Sequence, residues 1–357
     1  MASFDSTVNS LRHRFQQDNQ PLPPVTLGAI SSDGSFHYAK SFGEQIDNTA
    51  GTDDMHWLAS ATKFITTIAV MQCVERGQLN LNDDIAKVLP EFKDPQILTG
   101  FNEKDEAIFK PATKTVTLRQ AEKFPHQFLV FEPGERWMYS PGIDWAGVVV
   151  ERITSMKLGE YMQRYIFDVV SVKDVTFHPE LREDLRARKA RTWARGSQGL
   201  EMQASSLWPD TTVADFGGGG LFATVNDLLR IYQGVLTGKL LRPETVKEMF
   251  QPHLENVTGL DKPDEYSTVY RNSIWNTIPV DVPVSFGIGG LINIAAVPKR
   301  RGMNSLTWSG YPNCYWWIDL NNGIAGVYLS QLVPSGDEKA IELLTEFEKF
   351  VYSSLKS

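Results

Sequence analysis

The stretch Ala59-Ser60-Ala61-Thr62-Lys63-Phe64 decides how the rest of this chain is read. It stands where a helical pattern begins. Phe64, Ile65, Ile68, Met71 and Val74 recur at helical spacing, and Gly77 supplies the stop. A helix puts residues i and i+3 on one face, so Ser60 and Lys63 can touch. A serine hydroxyl is a poor nucleophile until a base takes its proton. A partly desolvated lysine, its pKa lowered by burial or like charge, can be that base. By itself the pattern is weak. Ordinary Ser and Lys usage gives roughly one or two chance S-x-x-K matches in a chain of this length. Ser353-Ser354-Leu355-Lys356, in the polar C-terminal tail, is such a match.

Outward from that helix, residues about 3–18 form an amphipathic pattern with Phe4, Val8, Leu11 and Phe15 on one face. Val25 to Ser31 and Phe36 to Ser41 read as strands, with the turn signal Ser31-Ser32-Asp33-Gly34 between them. Leu79 to Leu89 has the pattern of a short helix. Asp144 to Ser155 and Val225 to Leu236 read as helices, the first preceded by Pro141 and Gly142. The stretch 195–215 is weakly periodic and reads as a long loop. Beyond residue 283 the chain turns strand-like: Val284 to Ile294, Ser305 to Ser309, Asn313 to Asp319 and Gly323 to Leu329. Leu320-Asn321-Asn322-Gly323 marks a hairpin. Glu338 to Leu355 closes as an amphipathic helix. Strands at both ends and helices in the middle predict an α/β (α+β) fold. An antiparallel sheet is flanked by N- and C-terminal helices, with a mainly helical region inserted. The expected division is a sheet domain from 1–57 and 270–357 and a mainly helical domain from 58–269. The latter carries Ser60, Lys63 and Tyr139, and the site falls in the cleft between.

The 357 residues can bury a large core, with hydrophobic residues at 42% and charged residues at 22%. A net charge of −8 argues against nucleic acid or an anionic membrane as partner. No apolar run approaches the ~20 residues that span a bilayer. Met1 to Gln20 lacks the apolar segment of a signal peptide. Two cysteines, Cys73 and Cys314, suggest neither a disulfide framework nor a zinc site. A cytoplasmic protein with no metal and no cofactor is the expectation. Nine tryptophans, several beside Gly and Pro turns, hint at an aromatic-lined pocket, though core packing is their commoner use.

Three further constellations carry chemical meaning. In Pro133-Gly134-Glu135-Arg136-Trp137-Met138-Tyr139-Ser140-Pro141-Gly142, a turn delivers Tyr139 just before a helix. A phenol beside an ammonium can shuttle a proton, although most buried tyrosines are simply hydrogen-bonded core residues. In Leu306-Thr307-Trp308-Ser309-Gly310-Tyr311-Pro312-Asn313, Ser-Gly lets a ligand approach an edge backbone whose N–H groups suit an oxyanion hole. A hairpin corner is the plainer use. Asp215-Phe216-Gly217-Gly218-Gly219-Gly220-Leu221-Phe222 lacks the phosphate-loop pattern and reads as a flexible turn beside a pocket, or as close backbone packing. There is no H-E-x-x-H, C-x-x-C or G-x-S-x-G, and the six histidines are scattered. His56 is near Ser60 in sequence, and a capping or surface role is expected for it.

These segments, in this order and over nearly the whole chain, resemble the serine enzymes of the class C β-lactamase fold. That superfamily includes penicillin-binding DD-peptidases, family VIII esterases and fungal polyketide transesterases. The similarity is greatest to the fungal acyltransferases of statin side-chain attachment. Leu58-Ala59-Ser60-Ala61-Thr62-Lys63, Gly142-Ile143-Asp144-Trp145-Ala146-Gly147, Phe216-Gly217-Gly218-Gly219-Gly220-Leu221-Phe222, Ser285-Phe286-Gly287-Ile288-Gly289-Gly290, and Pro312-Asn313 leading to Trp317-Ile318-Asp319 carry it. The resemblance implies a β-lactamase/transpeptidase-like fold, with Ser60 as nucleophile, Lys63 as general base and Tyr139 as proton shuttle. It implies an oxyanion hole from the backbone N–H groups of Ser60 and Tyr311. Trp308, Ser309, Gly310, Gly218 and Gly219 are then the substrate-binding residues.

Two departures narrow the function. The family places Asn where this chain has Pro141, and Lys or His where it has Trp308. Losing both polar groups argues against efficient β-lactam hydrolysis. After Thr117-Leu118-Arg119 the family pattern continues through a segment bordering the cleft. Here Gln120-Ala121-Glu122-Lys123-Phe124 follows, and about thirty residues of that pattern are absent. The leading expectation is a serine acyltransferase. It moves an acyl group from an ester or thioester, an acyl carrier thioester among the candidates, to an alcohol of a secondary metabolite through acyl-Ser60. A carboxylesterase on the same site is the first alternative. A non-catalytic binding protein on this scaffold is the second.

Overall fold

The computed structural model describes residues 4–43, 51–118, 129–197, 199–209, 211–254 and 258–355. In chain order the first elements are α1 (Phe4–Gln17), β1 (Val25–Ser31), β2 (His37–Phe42), β3 (His56–Trp57), α2 (Thr62–Glu75), β4 (Gln96–Phe101) and β5 (Ala107–Pro111). The middle holds α3 (Gly142–Thr154), α4 (Leu158–Met162), β6 (Val175–Thr176), α5 (Glu183–Arg186), β7 (Trp193–Gly196), β8 (Gly199–Met202), β9 (Phe222–Ala223), α6 (Val225–Leu236), α7 (Pro243–Met249) and α8 (Thr268–Trp275). The C-terminal part holds β10 (Val284–Phe286), β11 (Leu291–Asn293), β12 (Leu306–Gly310), β13 (Cys314–Asp319), β14 (Ile324–Leu329), β15 (Leu332–Val333) and α9 (Glu338–Ser354).

The two ends of the chain meet in one antiparallel sheet of order β10-β11-β12-β13-β14-β1-β2, closed where β1 pairs with β14 from Thr26–Leu329 to Ser31–Ile324. Both hairpin signals are used. Gly34 (φ +73°) turns β1 into β2, and Gly323 (φ +58°) turns β13 into β14. Strand side chains alternate between faces, and here both faces are buried. Tyr315, Trp317 and Tyr328 point to a core shared with Phe4, Val8 and Phe15 of α1 and Leu343, Phe347 and Val351 of α9. Trp316, Ile318 and Val327 point the other way, to Phe64 and Ile68 of α2 and Leu229 and Tyr232 of α6. Phe64 and Trp316 lie 4.6 Å apart, centroid to centroid. Each buried Trp removes enough surface for about 4–6 kcal/mol of transfer free energy at most.

α2 lies in the middle of this second core and is buried nearly all round, Thr66 and Gln72 included. It ends in a glycine cap. The Gly77 N–H donates to Val74 O and the Gln78 N–H to Cys73 O, with Gly77 at φ +70°. A buried ion pair locks α9 to the connection between β11 and β12. Arg301 donates from Nε to Glu348 Oε2 (3.2 Å) and from Nη2 to Glu348 Oε1 (2.5 Å), both side chains fully enclosed.

Three expectations require correction. Leu79 to Leu89 is not an α-helix but a chain of tight turns. The side chains of Asn80 and Asp84 accept from the N–H groups two residues on, which competes with helix formation. The stretch 195–215 is not all loop, because β7 and β8 form a hairpin that joins β15. Val284 to Ile294 is two strands, since Gly289 (φ +106°) folds β10 back on β11. The ribbon of β4 and β5, largely solvent-exposed, has no counterpart in the sequence reading.

Candidate active site

The chain leaves β3 and enters α2 through one tight turn at Ala59–Ala61. Ala59 sits at φ +45°, a left-handed conformation that costs a residue with a Cβ about 1–2 kcal/mol. Ser60 therefore lies at the head of a buried helix, where N–H groups lack intrahelical acceptors and the helix dipole favours negative charge. One turn on, Lys63 donates from Nζ to Ser60 Oγ at 3.2 Å and to Gly218 O at 2.5 Å.

Tyr139 comes from 79 residues away. Its hydroxyl hydrogen-bonds Ser60 Oγ, and Lys63 Nζ lies 5.0 Å from its ring centroid. Its ring stacks on Trp308 of β12 (5.8 Å, 29° between planes). Phe286 and Trp137 meet Trp308 edge-on at 5.4 and 6.2 Å. Together with Ile143 and Gly289 these rings line a narrow pocket that reaches Lys63. The indole of Trp308 thus fills the wall where the family pattern has a cation, and Pro141 caps α3 with no polar side chain.

Gly310 explains why a Ser-Gly pair ends β12. A Cβ on Gly310 would stand 2.0 Å from Leu58 O, so the strand and the Ser60 turn pack backbone to backbone. The Tyr311 peptide follows directly on this contact, and the Tyr311 side chain is half exposed. Ser309 points away: alternation puts it on the face opposite Trp308, and its hydroxyl donates to Ser273 O of α8.

The glycine run packs behind Lys63. The Gly218 N–H donates to Asp144 Oδ1 (2.9 Å), Thr66 Oγ1 donates to Gly217 O (2.7 Å), and Trp57 Nε1 donates to Gly219 O (2.7 Å). Gly218 and Gly219 are held on framework atoms, and Gly218 presents its carbonyl to Lys63. Asp144, which the sequence singled out only as a helix start and within a motif, leaves no room for a Cβ on Gly218, which would come 2.3 Å from its Oδ2. His56 is neither capping nor on the surface. It is buried on β3 with Nδ1 against Asp54 O (3.0 Å), and its ring lines a separate pocket with Thr26, Ser41 and Gln331. Burial pushes its pKa down to about 4, so it is neutral at pH 7. Ser353 is exposed on α9, far down the chain from any such cluster, with its hydroxyl donating to Phe350 O. Among the described residues no group of three or more His, Cys, Asp or Glu could hold a metal.

A hydroxyl held between an ammonium and a phenol, at a helix head and against a strand end, is an arrangement for acyl transfer through serine. The comparisons agree on the class. The beta-lactamase family matches residues 27–347, and the chain belongs to that family. It is 33% identical to a lovastatin esterase of Penicillium rubens over 94% of this chain and 95% of that one. It is 29% identical to the monacolin J acid methylbutanoyltransferase of Aspergillus terreus, over 94% and 92%. The LovD6 mutant of simvastatin synthase from Aspergillus terreus superposes with a TM-score of 0.89 at 28% identity, covering 100% of this chain and 98% of that one. The fold is therefore β-lactamase-like, and the chain is an enzyme of the family's acyltransferase and esterase class. That displaces the reading as a non-catalytic binding protein. The alignment with the esterase runs over 390 positions, more than the 357 residues present here, so the relative carries residues this chain lacks. The junction after Arg119, where the missing segment was expected, lies outside the described residues. Among the described residues no helix is long and apolar enough to cross a membrane.

Proposed function

We propose that this enzyme carries acyl groups on Ser60. Ser60 Oγ attacks an ester or thioester carbonyl while its proton passes to Lys63, directly or through Tyr139. The new C–O bond gives a tetrahedral oxyanion held by the N–H groups of Ser60 and Tyr311. Collapse breaks the bond to the leaving alcohol or thiol, which takes the proton and departs, leaving acyl-Ser60. An acceptor alcohol then repeats the sequence in reverse and carries the acyl group away. The observation that carries this is the Ser60–Lys63–Tyr139 hydrogen-bonded cluster at the mouth of the pocket walled by Trp137, Phe286 and Trp308. The wall suits a compact apolar acyl chain and offers no cation to a β-lactam carboxylate. The cleft belongs to the join between a sheet domain (1–57 and 270–357) and a mainly helical domain (58–269). An acyl carrier thioester is included among the donors. The separately buried, free thiols of Cys73 and Cys314 support a reducing, cytoplasmic setting.

Hydrolysis is the second reading, and identity to the lovastatin esterase favours it. Intact-mass spectrometry with a panel of thioesters and esters tests the acyl-enzyme: an adduct is expected on the wild type and none on Ser60→Ala. An adduct that survives Ser60→Ala overturns the assignment. Adding an alcohol separates the two readings. A transferase yields new ester at the expense of free acid; an esterase yields free acid regardless.

A further inference from the structure

Among the described residues Lys63 Nζ has two hydrogen-bond partners, and one of them is the Gly218 carbonyl. Whatever sets the glycine segment therefore sets the lysine. The segment is clamped at both ends by two consecutive residues, Phe177 and His178. The Phe177 ring closes on Gly220, where a Cβ would come within 2.9 Å of it. His178 Nε2 meets Asp215 Oδ1 at 2.8 Å, and Asp215 Oδ2 accepts the Gly159 N–H of α4 at 2.8 Å. The other ring nitrogen, Nδ1, meets Glu180 Oε1 at 3.0 Å.

Both ring nitrogens thus face carboxylate oxygens. A neutral imidazole has one N–H and can satisfy one of them; an imidazolium satisfies both. The charged groups facing the ring are Glu180 on its own turn and Asp215 on the glycine segment. α4 contributes the Gly159 N–H, which goes to Asp215 and not to the ring. Desolvation lowers the pKa of His178, but the hydrogen bonds and charges of Asp215 and Glu180 outweigh it and raise it overall. No other titratable pair of described residues touches this segment's anchoring carboxylate.

We propose that protonated His178 is a positioning residue for acyl transfer: bridging Glu180 and Asp215, it holds the 215–220 segment so that the Gly218 carbonyl keeps Lys63 Nζ on Ser60. Loss of the His178 proton leaves one N–H to be shared between two tautomers, one donating to Asp215 and one to Glu180, so the segment's first anchor is made only part of the time. The lysine then spends less time on the serine hydroxyl. Binding of the acyl chain, at the Trp308 wall, is untouched. This rests on the assignment of Lys63 to Ser60 made above.

The expected result is an alkaline limb in wild-type kcat for an activated ester, falling at a pH above the ordinary histidine value of 6.5. His178→Gln, which cannot be charged, should lose that limb and run about tenfold slower on the plateau with KM unchanged. Glu180→Gln removes one carboxylate from the ring. It should keep the wild-type rate below the limb and move the limb to lower pH. NMR titration of the His178 ring nitrogens in the full chain should follow the same midpoints. His178→Gln with the wild-type pH profile and kcat overturns the proposal, as does a ring that titrates at or below 6.5. If His178→Gln does not fold, the Glu180→Gln profile and the ring titration still decide. Residual activity in Ser60→Ala would instead strike the acyl-Ser60 mechanism, so the two failures are distinct.

Discussion

Replacing Gly310 by Ala should slow catalysis far more than it weakens the fold. The new Cβ would stand 2.0 Å from Leu58 O. Carbon and carbonyl oxygen come no closer than roughly 3.3 Å even in C–H···O contacts, so the two backbones must part by about 1.3 Å. Neither side yields alone. The Leu58 N–H is bonded to Leu221 O (2.9 Å), and Gly310 is paired with Cys314 of β13. The displacement is shared between the Ser60 turn and the Tyr311 corner, which carry the two proposed oxyanion donors. A donor about 1 Å out of place is nearly a donor removed, worth about 10²–10³ in kcat, or ~2.7–4 kcal/mol. Overpacking itself should cost about 1–3 kcal/mol of stability. The assay is stopped-flow release of p-nitrophenol from an activated ester: the burst rate should fall about 100-fold or more with KM little changed. Gly326→Ala is the matched control. Its Cβ would meet the Trp317 ring at 2.1 Å, in the core beneath α1 and α9, and should lower Tm without changing the burst rate of the folded enzyme. A Gly310→Ala enzyme within threefold of wild type would show that the end of β12 does not hold the oxyanion.

Tyr139→Phe should cut kcat by about 10²–10⁴, while Tm moves little, because the ring is 40% exposed and its stacking on Trp308 survives. An unchanged rate removes the phenol from proton transfer. Glu348→Gln should cost about 3–5 kcal/mol in denaturant unfolding, since it strands the buried Arg301 charge, with kcat of the folded enzyme retained. For His56 the folded pKa, about 4, lies below the ordinary 6.5. The unfolded chain binds more protons between those values, so the contribution is complete above pH 6.5 and is lost as pH falls through 4. Wild type should therefore lose about 2–3 kcal/mol relative to His56→Gln between pH 7 and 4, read from paired urea titrations. Parallel pH curves for the two proteins would refute the buried neutral imidazole.

Much of this molecule was legible along the chain because the signals were local. The helix at 225–236, the terminal helices and the two glycine hairpins follow from period, caps and turn residues within about 15 positions. The strands β12 to β14 were equally plain as short apolar runs between turns. Where local chemistry pulled against the pattern, the pattern misled. Asn80 and Asp84 hydrogen-bond their own backbone and stop the helix expected at 79–89. β7 and β8 are recognisable as strands only beside β15, more than a hundred residues later.

The same division runs through the site. By itself the sequence determined the i, i+3 pair of Ser60 and Lys63 and the motif order that places Tyr139 and Trp308 with them, because helix geometry and family pattern are both written in linear spacing. Only the tertiary structure decided that Ser309 faces α8 rather than the pocket, and that Gly310 is bare because Leu58 O passes against it. It also decided that Gly218 meets Lys63 with its carbonyl, held there by Asp144. Strand facing, backbone contact and the aim of a carbonyl depend on which distant segment packs alongside, and no single stretch of sequence contains both partners.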